Sequence, residues 1–131
     1  MTTTMTRNKI SLACRISVII LLGLDAATMM FRPKVLAQEF AATGFALTQA
    51  PALAVIIAIA ILLYTPPRTR LIGAILVTGF LGGAICAHFR LGEIGSPPQL
   101  ICLLLGALAW GGVPSLQGLH RIGVGPAVIT P

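Results

Sequence analysis

Four long apolar runs, at residues 11–31, 48–64, 71–89 and 99–116, dominate the pattern of the chain. A hydrocarbon core of about 30 Å needs roughly 20 apolar residues in a helix, because lipid offers the backbone no hydrogen-bond partners. The pattern therefore predicts an all-α fold, an integral membrane four-helix bundle that forms one transmembrane domain over residues 1–131.

Helix breakers separate these runs. Arg32, Pro33 and Lys34 follow the first run, Pro66 and Pro67 lie between the second and third, and residues 92–98 contain two glycines and two prolines before the fourth. Since proline cannot continue a helix, each of these positions predicts a helix end.

The segment 33–47 is too short to span a membrane. It mixes Lys34, Gln38 and Glu39 with apolar residues, which is typical of an interfacial or short re-entrant helix, and this helix is predicted to end near Gly44. A plain loop is the alternative.

The N-terminal region also has the order of a secretory signal, in which basic residues precede an apolar stretch. Asp25 interrupts that stretch, and Arg32 and Lys34 lie just before the candidate cleavage site at residues 35–37. A cleavable signal has a short uncharged core followed by small residues, so a retained first helix is predicted.

Composition supports the membrane interpretation. The chain is 56% hydrophobic and only 9% charged, with a mean hydropathy of +0.97, which leaves too few polar side chains to cover a water-facing globule. The net charge of +6 comes from scattered single basic residues with few aromatic neighbours, so no nucleic-acid partner is expected. The expected partners are membrane lipids and either other membrane-protein subunits or further copies of the chain.

The basic residues also predict an orientation. With four spans, six of them share the side of the two termini: Arg7, Lys9, Arg15, Arg68, Arg70 and Arg121. Only Arg32, Lys34 and Arg90 lie on the other side. By the positive-inside rule, both termini are predicted to be cytoplasmic in a bacterial-type inner membrane.

In this topology five polar residues are predicted to lie near the outer surface of the membrane: Asp25, Arg32, His88, Arg90 and Glu93. An unpaired carboxylate at the depth of Asp25 costs about 2.5 to 3.5 kcal/mol, so Asp25 is expected to face the bundle interior and find a partner. One interpretation is a polar pocket for a headgroup, a quinone or a proton path. The other is a structural ion pair, or a neutral Asp25, that fixes the packing of helices one and three.

Glycines on the third helix favour close packing. Gly79 and Gly83 form a G-x-x-x-G pair, and Gly73 and Gly82 lie on the same helix. Small residues let membrane helices approach closely, so these four glycines are predicted to contact another helix.

No site for a metal or redox cofactor is visible. Cys14, Cys86 and Cys102 are isolated on three helices, and His120 stands apart from His88. No serine has a base at a recognisable spacing, so no catalytic residue is identified. No cofactor is expected, with a quinone or a lipid as the exception that the polar cluster allows.

Three stretches resemble the DoxX-like family of small four-helix membrane proteins. The most specific is TPPRTRLIGAILVTGFLGGAICAHFRLGE at 65–93, similar to the family's third helix, which is entered by a Pro-Arg-Thr turn and left by Thr-His-x-Arg-x-Gly-Asp. LDAATMMFRPKVL at 24–36 resembles the Asp-containing end of the first helix, and LLGALAWGG at 104–112 resembles the last helix.

The resemblance singles out eleven positions: Asp25, Pro67, Arg68, Thr69, Gly73, Gly79, Gly82, Gly83, His88, Arg90 and Gly92. Four positions depart from the family pattern: Ala26 for glycine, Met29 for lysine, Ala87 for threonine and Glu93 for aspartate. Losing the lysine removes the i,i+4 partner of Asp25 on its own helix.

The family is named through subunits linked to thiosulfate and quinone oxidation. The resemblance therefore implies either a non-catalytic accessory subunit that packs against a larger membrane redox complex or a quinone-linked oxidoreductase component. The small size and glycine faces favour the first, and the outer polar cluster favours the second. A transporter or channel is disfavoured, because helices two and four carry no intramembrane charge.

Overall fold

The computed structural model describes residues 2–113, which form helices and turns without strands. The α-helices are α1 (Thr2–Phe31), α2 (Ala37–Thr43), α3 (Ala50–Tyr64), α4 (Arg70–Arg90) and α5 (Pro97–Gly111), and 3-10 turns at Pro33–Leu36 and Leu47–Gln49 flank α2. The predicted all-α membrane bundle is confirmed.

Three helical segments are long and apolar enough to cross a membrane: Met5–Phe31, Leu47–Tyr64 and Arg70–Arg90. The fourth predicted run corresponds to α5, which is apolar but has only 15 residues. At 1.5 Å per residue α5 rises about 22 Å, which is less than the roughly 30 Å of a hydrocarbon core. The protein is a multi-pass helical membrane protein.

Two predicted helix ends were wrong. Helix α1 begins at Thr2 rather than near residue 11, because the polar residues before the apolar run include no proline or glycine to stop a helix. Helix α5 ends at Gly111 instead of continuing to Leu116, and the backbone N–H of Gly112 bonds the carbonyl oxygen of Leu108 at 3.0 Å. Leu116 itself lies outside the described residues.

The short segment between the first two spans folds as a helix, so the loop alternative was wrong. Helix α2 ends at Thr43, next to the predicted end near Gly44, and Gly44 caps it with a left-handed φ of 77° that suits a residue without a side chain. Phe40 of α2 is buried, and α2 packs against α4.

The four longer helices form a ring in the order α1, α3, α4, α5, in which α5 also packs against α1. Helices α1 and α4 therefore occupy opposite corners, with α3 and α5 between them. The core within the ring contains ten buried residues: Val18, Leu22, Ile57, Ala60, Tyr64, Ala74, Val77, Leu81, Leu105 and Ala109.

One end of the ring, which we call the Tyr64 end, is closely packed. The Tyr64 hydroxyl is buried and donates to the carbonyl oxygen of Ala109 at 2.8 Å, joining α3 to α5. Arg70 donates to the carbonyl oxygens of Tyr64 and Thr65 at 3.3 and 3.1 Å, which satisfies two orphan groups at the end of α3. Polar groups at this end are therefore used in joining helices.

Candidate functional site

The opposite end of the ring contains a cavity of about 590 Å³. Its walls come from the last turns of α1, from α2 and the turns beside it, from Leu53 of α3, from the second half of α4 and from α5. Sites for small organic molecules usually occupy 300 to 1,000 Å³ and have mostly apolar walls with a few polar groups. The cavity falls within this range.

Most of the wall is apolar, and three phenylalanines contribute to it: Phe40 on α2, Phe45 in the turn after α2, and Phe80 on α4. Gly79 and Gly83 line it from α4, where the missing side chains leave room. These walls favour a molecule with a substantial apolar part.

Polar atoms reach the cavity from five side chains: Asp25, Glu39, Thr43, His88 and Cys102. Asp25 is half-buried on α1, and Glu39 of α2 lines the same cavity. The cavity therefore brings together two of the three carboxylates of the chain.

His88 lies on α4 opposite Asp25 and is 8% exposed. Its Nδ1 lies 2.9 Å from Oε2 of Glu93, just beyond the helix. Nδ1 is therefore the ring nitrogen that is paired with Glu93. A smaller neighbouring pocket is lined by Glu93 and shares His88 with the main cavity.

The predicted outer cluster is divided by the structure. Asp25 and His88 line one cavity, and Glu93 is bonded to His88, whereas Arg32 and Arg90 are exposed and lie outside the cavity wall. Asp25 was predicted to find a polar partner, but within residues 2–113 its carboxylate has no hydrogen bond or ion pair. The reason is the ring order, which places α1 and α4 at opposite corners.

Within the bundle, the structure separates Gly73 from the other three glycines of α4. A Cβ added at Gly79, Gly82 or Gly83 would meet no atom of the described chain within 4 Å, so these residues make no close helix contact within it. Gly73 does, because a Cβ there would overlap the backbone of Tyr64 on α3. The close approach of α3 and α4 therefore depends on Gly73.

Glu39 was missed as a site residue. The sequence places it in a short segment, and nothing in its hydropathy shows that α2 folds back against α4. The prediction of a re-entrant helix was the available signal, because such a helix would carry a carboxylate to the end of the bundle where Asp25 lies.

No group of three or more His, Cys, Asp or Glu side chains within residues 2–113 is placed to hold a metal ion. Cys14, Cys86 and Cys102 are free thiols, and Cys102 alone among them lines the cavity. His120 lies outside the described residues.

Comparison of the chain with models of protein families finds a match. The model of the DoxX-like family matches residues 14–112, which include α2–α5 and most of α1. No curated protein and no solved structure matches the chain at a significant level.

Proposed function

Because the chain belongs to the DoxX-like family, we propose that it is a non-catalytic membrane subunit that binds a lipophilic molecule and serves a larger membrane complex. The cavity carries this proposal: a space of about 590 Å³ with mostly apolar walls and a few polar side chains suits a ligand drawn from the membrane.

The proposal includes an orientation. Five basic residues in the described chain lie at or near the Tyr64 end, and three lie near the cavity end. By the positive-inside rule, we expect the Tyr64 end to lie on the cytoplasmic side of an inner membrane and the cavity to lie toward the outer side.

Retention of a small molecule tests the binding role. The protein would be extracted from native membranes in mild detergent and examined by native mass spectrometry beside two variants. Ala84→Phe fills the cavity from α4, whereas Ala58→Phe adds the same volume to an exposed position of α3 outside it. We expect wild type and Ala58→Phe to retain a lipophilic molecule and Ala84→Phe to lose it. Equal retention by all three would overturn the proposal.

The subunit role is tested separately. Crosslinking in intact membranes, followed by purification, should recover the chain with other membrane proteins in constant ratio. Recovery of the chain alone would contradict an accessory role but would leave ligand binding intact.

A second candidate is a quinone-linked oxidoreductase component. The observation that favours it is the pair of Asp25 and His88, which line one cavity from opposite corners of the ring, so that a quinone between them would meet a polar side chain on each side. Binding of decylubiquinone that is weakened by His88→Leu would support it. Unchanged binding in that variant would count against it.

A further inference from the structure

The cavity is lined by acidic side chains, although the protein has nine Lys and Arg residues and only three Asp and Glu residues. All three carboxylates gather at the cavity end: Asp25 and Glu39 line the wall, and Glu93 bonds His88 beside them. Among the described residues that line the cavity, none is lysine or arginine. The wall is therefore acidic in a strongly basic protein.

Asp25 and Glu39 line the same cavity, and neither has a hydrogen bond or an ion pair to its side chain within residues 2–113. A positive charge between them would give both carboxylates a partner of opposite sign. Asp25 is half-buried, and a carboxylate removed from water interacts with charge more strongly than one in water, so the sign of a ligand's charge matters here.

The aromatic residues of the wall also favour a positively charged ligand, for a separate reason. Three of the five phenylalanines of the chain, Phe40, Phe45 and Phe80, line the cavity. The face of an aromatic ring carries partial negative charge and attracts ammonium groups, and quaternary ammonium ligands are commonly held by such rings.

From these observations we propose that the cavity selects a lipophilic cation, a protonated or quaternary amine whose ammonium group lies between Asp25 and Glu39 and whose apolar part fills the phenylalanine-lined space. This inference rests on the proposed binding function and names the ligand class. A zwitterionic lipid headgroup fits less well, since its phosphate would face carboxylates without a basic residue among the described wall residues.

A pair of isosteres provides the test. Benzyldimethylhexylammonium and its neutral analogue, in which a quaternary carbon replaces nitrogen, have the same shape and differ in charge. Equilibrium binding of both radiolabelled compounds would be measured in phosphatidylglycerol nanodiscs, with empty nanodiscs and Ala84→Phe protein as corrections for partitioning into lipid.

We expect wild type to bind the cation at least about tenfold more tightly than the neutral isostere. Asp25→Asn with Glu39→Gln keeps the side-chain sizes and should bring the two affinities to within about twofold by weakening the cation alone. Phe80→Leu should reduce the preference in part. If the double variant fails to fold, Glu39→Gln alone serves, because Glu39 is exposed and its side chain bonds no other described residue.

Equal affinity of the two isosteres in wild type, or a preference that survives in the charge-neutral variant, would overturn the cation proposal while the binding function stands. If both compounds bind wild type no better than Ala84→Phe, the binding function fails as well. Repeating the titration in phosphatidylcholine nanodiscs identifies the source of the ammonium group. If phosphatidylcholine competes and weakens binding of the test cation, the natural ammonium group belongs to a lipid headgroup. If the affinity is unchanged, it belongs to a free lipophilic amine.

Discussion

At the scale of single residues, Gly73 allows α3 and α4 to approach closely. A methyl group at this position would overlap backbone atoms of Tyr64, and backbone cannot move aside as a flexible side chain can. We expect Gly73→Ala to lower the free energy of unfolding by about 1 to 3 kcal/mol, the usual cost of overpacking. Thermal denaturation in detergent would measure it.

Gly79→Ala is the matched control, on the same helix and with the same change. Its added methyl group meets nothing within 4 Å, and alanine favours a helix over glycine by about 1 kcal/mol, so this variant should equal or exceed wild-type stability. If the Gly73→Ala protein were as stable as the Gly79→Ala protein, Gly73 would not be needed for the close approach of α3 and α4.

These glycines also show what sequence can reveal at this scale. The spacing of Gly79 and Gly83 correctly places them on one face of α4, but spacing does not say what lies opposite that face. In the structure the opposite space is the cavity. The depth of Asp25 and His88 was likewise predictable from helix length, whereas the lack of a direct bond between them follows from the helix order.

At the scale of elements, α2 covers one side of the cavity. Phe40 is buried at 7% exposure, lines the cavity and belongs to a helix that packs against α4. We expect Phe40→Ala to open this cover, so that the thiol of Cys102 in the cavity wall reacts faster with a membrane-permeable maleimide. The measurement uses a chain in which Cys14 and Cys86 are replaced by alanine.

Phe89→Ala is the control for this experiment, because Phe89 is 53% exposed and lies outside the cavity wall. Its loss should leave the labelling rate of Cys102 unchanged. If Phe40→Ala labels no faster than Phe89→Ala, α2 is not the cover.

Helices were the part of this fold most accessible from sequence. The apolar runs located α1, α3, α4 and α5, and the prolines located the breaks between them. The position of α2 could not be predicted in the same way, because the mixed polarity of its seven residues does not indicate which side of the bundle it packs against. That position brings Glu39 to the cavity, which is why the site was predicted only in part.

At the scale of the whole molecule, charge is distributed unevenly along the bundle axis. All three carboxylates lie at the cavity end, while Arg15 and Arg70 lie at the Tyr64 end. We expect the loop between α4 and α5 to face outward, and a cysteine placed at Gly95 should react with an impermeant thiol reagent added outside intact cells. The background for this assay is a chain without its three native cysteines.

A cysteine at Pro67, in the turn between α3 and α4, serves as the opposite reporter. It should react only after the membrane is permeabilised. Labelling of Pro67→Cys from outside, with Gly95→Cys protected, would invert the orientation.

The diagonal placement of α1 and α4 has a thermodynamic consequence. A molecule that touches both Asp25 and His88 would brace two corners of the ring that are otherwise held through their neighbours. Since such a molecule binds the folded bundle and not the unfolded chain, occupancy and folding are linked. At a free concentration of about 100 times its Kd, it would add about 2.7 kcal/mol to the free energy of unfolding. The melting temperature would then rise with ligand supply, so the amount of folded protein in the membrane would itself depend on that supply.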